Sequence, residues 1–146
     1  HGPLDDASEG LLEEARRRFD EASANLERCQ FRAALQAAML LAQATNRYLD
    51  SQAPWRKVRD ARDDAATTLW VAMTVINCLK TMFYPFIPFS SEKLHAMIGL
   101  EGSVKDQGWR WMPDDMKPGA PLPQPEPLFA KLDDSIVEQE TARLSR

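Results

Sequence analysis

The stretch that decides the fold runs from Asn46 to Trp55 and reads NRYLDSQAPW. Its first residues finish a helical pattern and its last three break it. Proline pushes its predecessor toward extended geometry, so the segment ends at Gln52 or Ala53. Proline is also a good first residue of a new helix, and Pro54 to Arg59 is expected to form a short turn. A large flat ring, Trp55, thus stands at a helix junction. A ring so placed is either core packing over a helix end or a platform on which a nucleic-acid base stacks.

Upstream of the junction, Phe31, Leu35, Ala38, Ala42, Thr45 and Leu49 recur at spacings of three and four. They predict a helix over 31–49 with that stripe facing inward. Ala33, Ala34, Ala37 and Ala44 keep it thin, and it is expected to be the most buried helix. Before it, Leu12, Ala15, Phe19, Ala22, Leu26 and Cys29 predict a helix over 9–29. The short step between the two favours antiparallel neighbours. Glu13 and Glu14 near the start and Arg28 near the end suit the helix dipole. The run Arg16-Arg17-Arg18 reads as a solvated face.

Downstream, Asp60 reads as a helix cap, with Asp63 and Asp64 at the positive end of the dipole. A helix over 61–83 follows, with Ala65, Leu69, Met73, Ile76, Leu79 (or Lys80) and Phe83 inside and Trp70 alongside. The prolines of Tyr84-Pro85-Phe86-Ile87-Pro88-Phe89 break it. Ser90 is expected to cap a helix over 91–98, which Gly99 stops. Residues 99–127 hold six of the ten prolines and four of the six glycines, so no regular element is expected there. Trp109 and Trp111 nonetheless argue for an ordered segment pinned to the helices. The last stretch, 128–144, opens on an apolar anchor of Leu128, Phe129 and Leu132, with a helix through Ile136, Val137 and Leu144.

No alternating strand pattern and no internal repeat is present. The fold class expected is all-α, an antiparallel bundle of about four to five helices. Residues 1–8 form a lead-in, 9–98 the helical bundle, 99–127 the Pro/Gly-rich segment packed on it, and 128–146 a C-terminal peptide or helix.

The 146 residues suit one domain with a proper core, and 44% hydrophobic and 27% charged residues are ordinary for a globular protein. No apolar run approaches the roughly 18 residues of a membrane span, and no membrane partner is expected. His1-Gly2-Pro3 reads as the remnant of a cleaved tag on a piece cut from a longer protein. Cys29 and Cys78 read as buried thiols of a reduced, cytoplasmic protein, with no second ligand at zinc spacing.

The net charge of −4 hides a pattern. Residues 30–62 carry six basic side chains and two acidic ones, while the flanking segments are each net acidic. Such a local excess can steer a polyanion, and its size suits a sparing contact. A Gly-rich phosphate loop, a nucleophile elbow and a metal-spaced histidine pair are all missing. His95 reads as a surface or packed histidine rather than a base. No catalytic residue, metal ligand or cofactor is expected in this chain.

The order of features along the chain resembles the anticodon-binding domain of methionyl-tRNA synthetase. The helix carrying Leu35, Met39, Leu41, Ala42, Asn46 and Tyr48 leads into Ala53-Pro54-Trp55. The helix ending at Tyr84-Pro85-Phe86-Ile87-Pro88-Phe89 comes next, then Ser91-Glu92-Lys93, Gln107-Gly108-Trp109, and Glu126 to Leu132. The match covers roughly residues 11–135. The resemblance implies a helical domain that reads the anticodon loop of tRNA(Met), with Pro54 and Trp55 at the anticodon and the indole stacked on a base. Asn46, Arg47, Arg56, Lys57 and Arg59 become possible tRNA contacts. Asn46 could equally hydrogen-bond a backbone turn, Tyr48 could be structural, and the basic residues could be a solvated turn. The parent would be a methionine–tRNA ligase using ATP and magnesium in a catalytic domain of the same chain.

The sequence departs from the family at its start. Family members carry another helix ahead, with an Asn-x-x-x-Arg pair that also reads the anticodon, and no such helix fits before Leu11. The catalytic half is absent as well. The chain is therefore expected neither to activate methionine nor to bind the full anticodon tightly. Two alternatives stay open from sequence: the related domain of a valine, leucine, isoleucine or cysteine ligase, or a helical protein-interaction module with no RNA role.

Overall fold

Asp5 starts the first helix. Its carboxylate accepts the Ser8 N–H at 2.8 Å, an N-cap that sets α1 at Asp6–Glu27, three residues earlier than the apolar stripe suggests. A computed structural model describes residues 2–130 and 133–144 of the chain; His1 and Leu132 lie outside them. Helix α1 stops in a Schellman turn: Gln30 N–H bonds Asn25 O at 2.8 Å and Cys29 N–H bonds Leu26 O at 2.9 Å. Cys29 sits at the left-handed position of that turn, φ 57°, and is exposed. The expectation of a buried thiol thus fails for Cys29 and holds for Cys78, which is fully buried.

The chain then turns back as α2 (Phe31–Gln52), passes the single turn α3 (Pro54–Lys57), and returns as α4 (Arg62–Phe83). Helices α1, α2 and α4 pack pairwise into the core. The faces that meet match the expected ones in part: Ala38, Thr45, Ala65 and Leu79 are buried as expected. On α2 the buried residues are Ala34, Ala37, Ala38, Leu41, Thr45 and Tyr48, whereas Phe31, Leu35 and Met39 are exposed. On α4 the buried set includes Ala65, Thr68, Val71, Val75, Cys78 and Met82, whereas Leu69 is exposed. Small alanines and threonines inside let the helix axes approach closely, and the larger side chains of the second stripe are left outside. Helix α4, not α2, is the most buried: 13 of its residues are inside against six on α2. Its N-cap is Ala61 rather than Asp60, with Asp63 and Asp64 in the first turn as expected.

Helix α4 is also long and apolar enough to cross a membrane, by length and composition alone, where no such run was expected. Its central place between α1 and α2 accounts for that composition. It carries a buried cation. Lys80 is fully buried, its Nζ 3.0 Å from His95 Nδ1 and 2.6 Å from Gln107 Oε1. His95 Nε2 lies 3.0 Å from the Glu101 carbonyl, so the ring is a packed link in a polar chain.

Helix α5 (Pro88–Met97) begins on Pro88 with Ile87 as its cap, so Ser90 lies inside it. The segment beyond is pinned by its indoles. Trp111 Nε1 donates to Thr74 O at 3.0 Å, Trp109 Nε1 to Ser23 Oγ at 2.7 Å, and Trp70 Nε1 to Met116 O at 2.7 Å. Trp109 also stacks on Phe19 with centroids 5.0 Å apart. Two short elements survive among the prolines: the turn α6 (Val104–Gln107) and a 3-10 turn at Pro113–Asp115. Ser103 caps α6, and Glu92 accepts the Val104 and Lys105 N–H groups. Leu128 and Phe129 line a 340 Å³ apolar hollow with Met39, Leu79, Phe83 and Ile87. Helix α7 (Asp134–Leu144) follows, with Val137 and Leu144 exposed. Helices are the regular structure among the described residues, and those of ten or more residues number five.

Candidate nucleic-acid interface

The corner between α2 and α4 is built on a residue that glycine would usually occupy. Ala53 is left-handed at φ 42° and ψ 57°, and its N–H bonds Leu49 O at 2.8 Å to close α2. Arg56 N–H then bonds Ala53 O at 2.9 Å, and Pro54 opens α3. A left-handed alanine costs of order 1 kcal/mol and persists only where its surroundings hold it. The main hold is Pro54, whose side chain is fully buried. The next residue points the other way. Trp55 is 60% exposed and Val58 53% exposed, an apolar step facing water. Trp55 is thus outside the core of the described residues.

The basic residues of the corner fall into two groups. Arg47, Arg56 and Arg59 are exposed and enter none of the ion pairs or side-chain hydrogen bonds among the described residues. This sets them apart from Arg17 and Arg18 of the α1 run, which pair with Glu14 and, for Arg18, Glu21. Lys57 is half-buried, and its Nζ donates to Gln52 Oε1 at 2.9 Å. Asn46 is exposed and makes no side-chain hydrogen bond among the described residues, so it does not serve the turn. Tyr48, by contrast, is buried, and its hydroxyl meets Ser8 Oγ at 2.8 Å. Burial raises its pKa, so the phenol stays neutral.

Sequence reasoning missed the underside of the corner. Gln52 Nε2 donates to Asp5 Oδ2 at 2.9 Å, joining α2 to the cap of α1. Hydrogen bonds from Ser8 hold the Asp5 carboxyl below its usual pKa. Asp5, Ser8, Gln52, Lys57, Asp64, Thr67 and Thr68 surround a polar hollow of 150 Å³. The Asp-x-x-Ser spacing of residues 5–8 was the available signal for the cap. Nothing in sequence pairs Gln52 with Asp5. No cluster of three His, Cys, Asp or Glu side chains suited to a metal exists among the described residues.

The fold and this corner define an all-helical domain that presents an exposed indole at a helix junction. The chain belongs to the family described as the anticodon binding domain of methionyl tRNA ligase, whose family model matches residues 1–146. It is 39% identical over 167 residues to a methionine–tRNA ligase of Roseiflexus sp. (strain RS-1), covering 98% of this chain and 28% of that one. It is 43% identical over 134 residues to the methionine–tRNA ligase of Dehalococcoides mccartyi (strain BAV1), covering 92% and 24%. The chain thus spans about a quarter of the length of these relatives. Among solved structures, methionyl-tRNA synthetase of Mycobacterium tuberculosis in its apo form matches with a TM-score of 0.79 at 24% identity, over 90% of this chain and 27% of that one. The same enzyme in complex with methionyl-adenylate matches with a TM-score of 0.77 at 26% identity, over 89% and 26%.

Proposed function

We propose that this chain is the anticodon-reading part of a methionine–tRNA ligase, and that Trp55 stacks on a base of the tRNA(Met) anticodon loop. The observation that carries this is an indole 60% exposed beside a fully buried proline. Single-stranded loops are read by splaying bases onto aromatic faces, and a face held rigid before binding loses little entropy. Arg47, Arg56 and Arg59 offer free guanidinium groups to the loop phosphates, and Asn46 offers an amide to a base edge or ribose. The parent enzyme attaches methionine to tRNA(Met) in the cytoplasm, with ATP and magnesium handled by a catalytic domain of the same chain. This segment supplies binding and no chemistry.

Stacking is worth about 1–3 kcal/mol per base, or roughly 5- to 150-fold in affinity. In the parent enzyme, Trp55→Ala is therefore expected to lower kcat/KM for tRNA charging by that factor while methionine activation stays near normal. Equal loss of both steps, or loss of neither, refutes the stacking role.

A further inference from the structure

We propose that Gln52 is the positioning residue of the recognition corner: its side-chain amide locks the turn carrying Trp55 to the capped start of α1. This rests on the stacking role given to Trp55 above. The geometry is a relay of three side chains from three elements. Lys57 Nζ, two residues after Trp55 on α3, donates to Gln52 Oε1 at 2.9 Å. Gln52 Nε2 donates to Asp5 Oδ2 at 2.9 Å, and Asp5 Oδ1 accepts the Ser8 N–H at 2.8 Å. Glutamine suits this place because its amide accepts with one terminal atom and donates with the other. Both of its bonds are charge-assisted, one from an ammonium and one to a carboxylate, and such bonds are about twice as strong as neutral ones.

The corner needs this hold. Helix α3 is four residues long and follows a left-handed alanine. A single turn has no stability of its own. Burial of Pro54 fixes one side of the turn, and the Ala61 N–H bond to Lys57 O at 2.8 Å ties its far end to the start of α4, but neither joins the turn to α1. Through Gln52 that end is tied to α1, the first helix of the core, so the indole meets a base at a set angle rather than on a swinging hinge.

A second consequence separates Lys57 from its neighbours. Its ammonium is used inside the protein, so it is a brace and not a phosphate contact. Each single-strand phosphate neutralised adds about 0.7 to the slope of log affinity against log salt. Lys57→Met is therefore expected to weaken RNA binding with the slope unchanged, whereas Arg56→Ala or Arg59→Ala lowers the slope.

The test uses the 146-residue chain labelled with 5-fluorotryptophan and an RNA hairpin carrying the methionine anticodon. The Trp55 fluorine resonance is identified with Trp55→Phe. Gln52→Leu is expected to shift or broaden that resonance in the free protein and to weaken the hairpin roughly three- to tenfold, the loss of one to two hydrogen bonds. Gln52→Glu places a carboxylate against Asp5 and is expected to do the same. Asp5→Asn, which remains a good N-cap, then supplies an amide donor to the introduced carboxylate and is expected to restore both signals in the double variant. Urea unfolding of the same variants separates the two effects: a Trp55 resonance that moves while the chain stays folded reports position and not stability. An unmoved Trp55 resonance in Gln52→Leu, or failure of Asp5→Asn to rescue Gln52→Glu, overturns the positioning role. If instead Trp55→Ala binds the hairpin like the unsubstituted chain, the stacking role fails, and the free-protein resonance still decides whether Gln52 sets the indole.

Discussion

Replacing Lys80 by methionine should remove a specific pH dependence of stability. The ammonium is fully buried and meets only His95 Nδ1 and Gln107 Oε1, with no carboxylate bonded to it among the described residues. Burial lowers its pKa from the ordinary 10.5 to about 8, against the opposing pull of Asp115 and Glu92. Between those values the folded chain binds fewer protons than the unfolded chain. Stability therefore rises with pH across that window, and below it the cost of the buried charge is present in full. The whole difference is at most about 3.5 kcal/mol. A 350 Å³ hollow lined by His95, Gln107 and Arg110 opens beside these partners, and with solvent screening about 1–2 kcal/mol is expected. Lys80→Met keeps most of the stem and removes the charge, but leaves His95 and Gln107 short of a donor at about 1 kcal/mol each. At neutral pH these effects offset, and the variant should lie within about 1 kcal/mol of the parent chain. Urea unfolding at about pH 7.5 and about pH 10 checks this: the parent should gain about 1–2 kcal/mol relative to the variant at the higher pH. Stability that changes in parallel in the two proteins would refute the claim that burial, rather than pairing, governs this lysine.

Cys29→Gly should stabilise the chain by about 0.5–1 kcal/mol, because the left-handed position of a Schellman turn costs a cysteine what glycine is spared; thermal unfolding under reducing conditions measures it. Tyr48→Phe should cost about 1–2 kcal/mol by urea unfolding, since it removes the hydroxyl that Ser8 Oγ meets inside the protein. Trp111→Ala should cost about 3–5 kcal/mol and speed amide exchange in residues 104–116, because the buried ring and its bond to Thr74 O fasten that segment to α4.

Helices α1, α2 and α4 are legible in the sequence because three–four spacing survives in them, yet their inward faces are legible only in part. Helices α2 and α4 each carry two apolar stripes. Phe31 and Leu35 look like the better core, but Ala34, Ala37 and Leu41 lie inside beside the expected Ala38 and Thr45, because close helix contact favours small side chains. Cys29 continues the α1 stripe, and no glycine or proline marks the place where the helix stops. At the corner, Pro54 and Trp55 are legible because proline fixes where the chain turns. The separation of Lys57 from Arg56 and Arg59 is not, because it depends on a side-chain bond across the break and on Asp5, 47 residues from Gln52. The α4–α5–α6 polar chain is equally hidden, since nothing in a one-dimensional pattern places Lys80 beside Gln107.

The four indoles of this chain are not equivalent emitters. Trp70, Trp109 and Trp111 each spend their ring N–H on a partner within the protein, and Trp111 is buried outright. Trp55 stands in water. Its fluorescence should form the red edge of the spectrum, open to aqueous quenchers, over a background from three fastened rings. Any molecule that covers the α2–α4 corner will change the red edge and leave the background alone. The domain is an unlabelled optical sensor of its own occupancy.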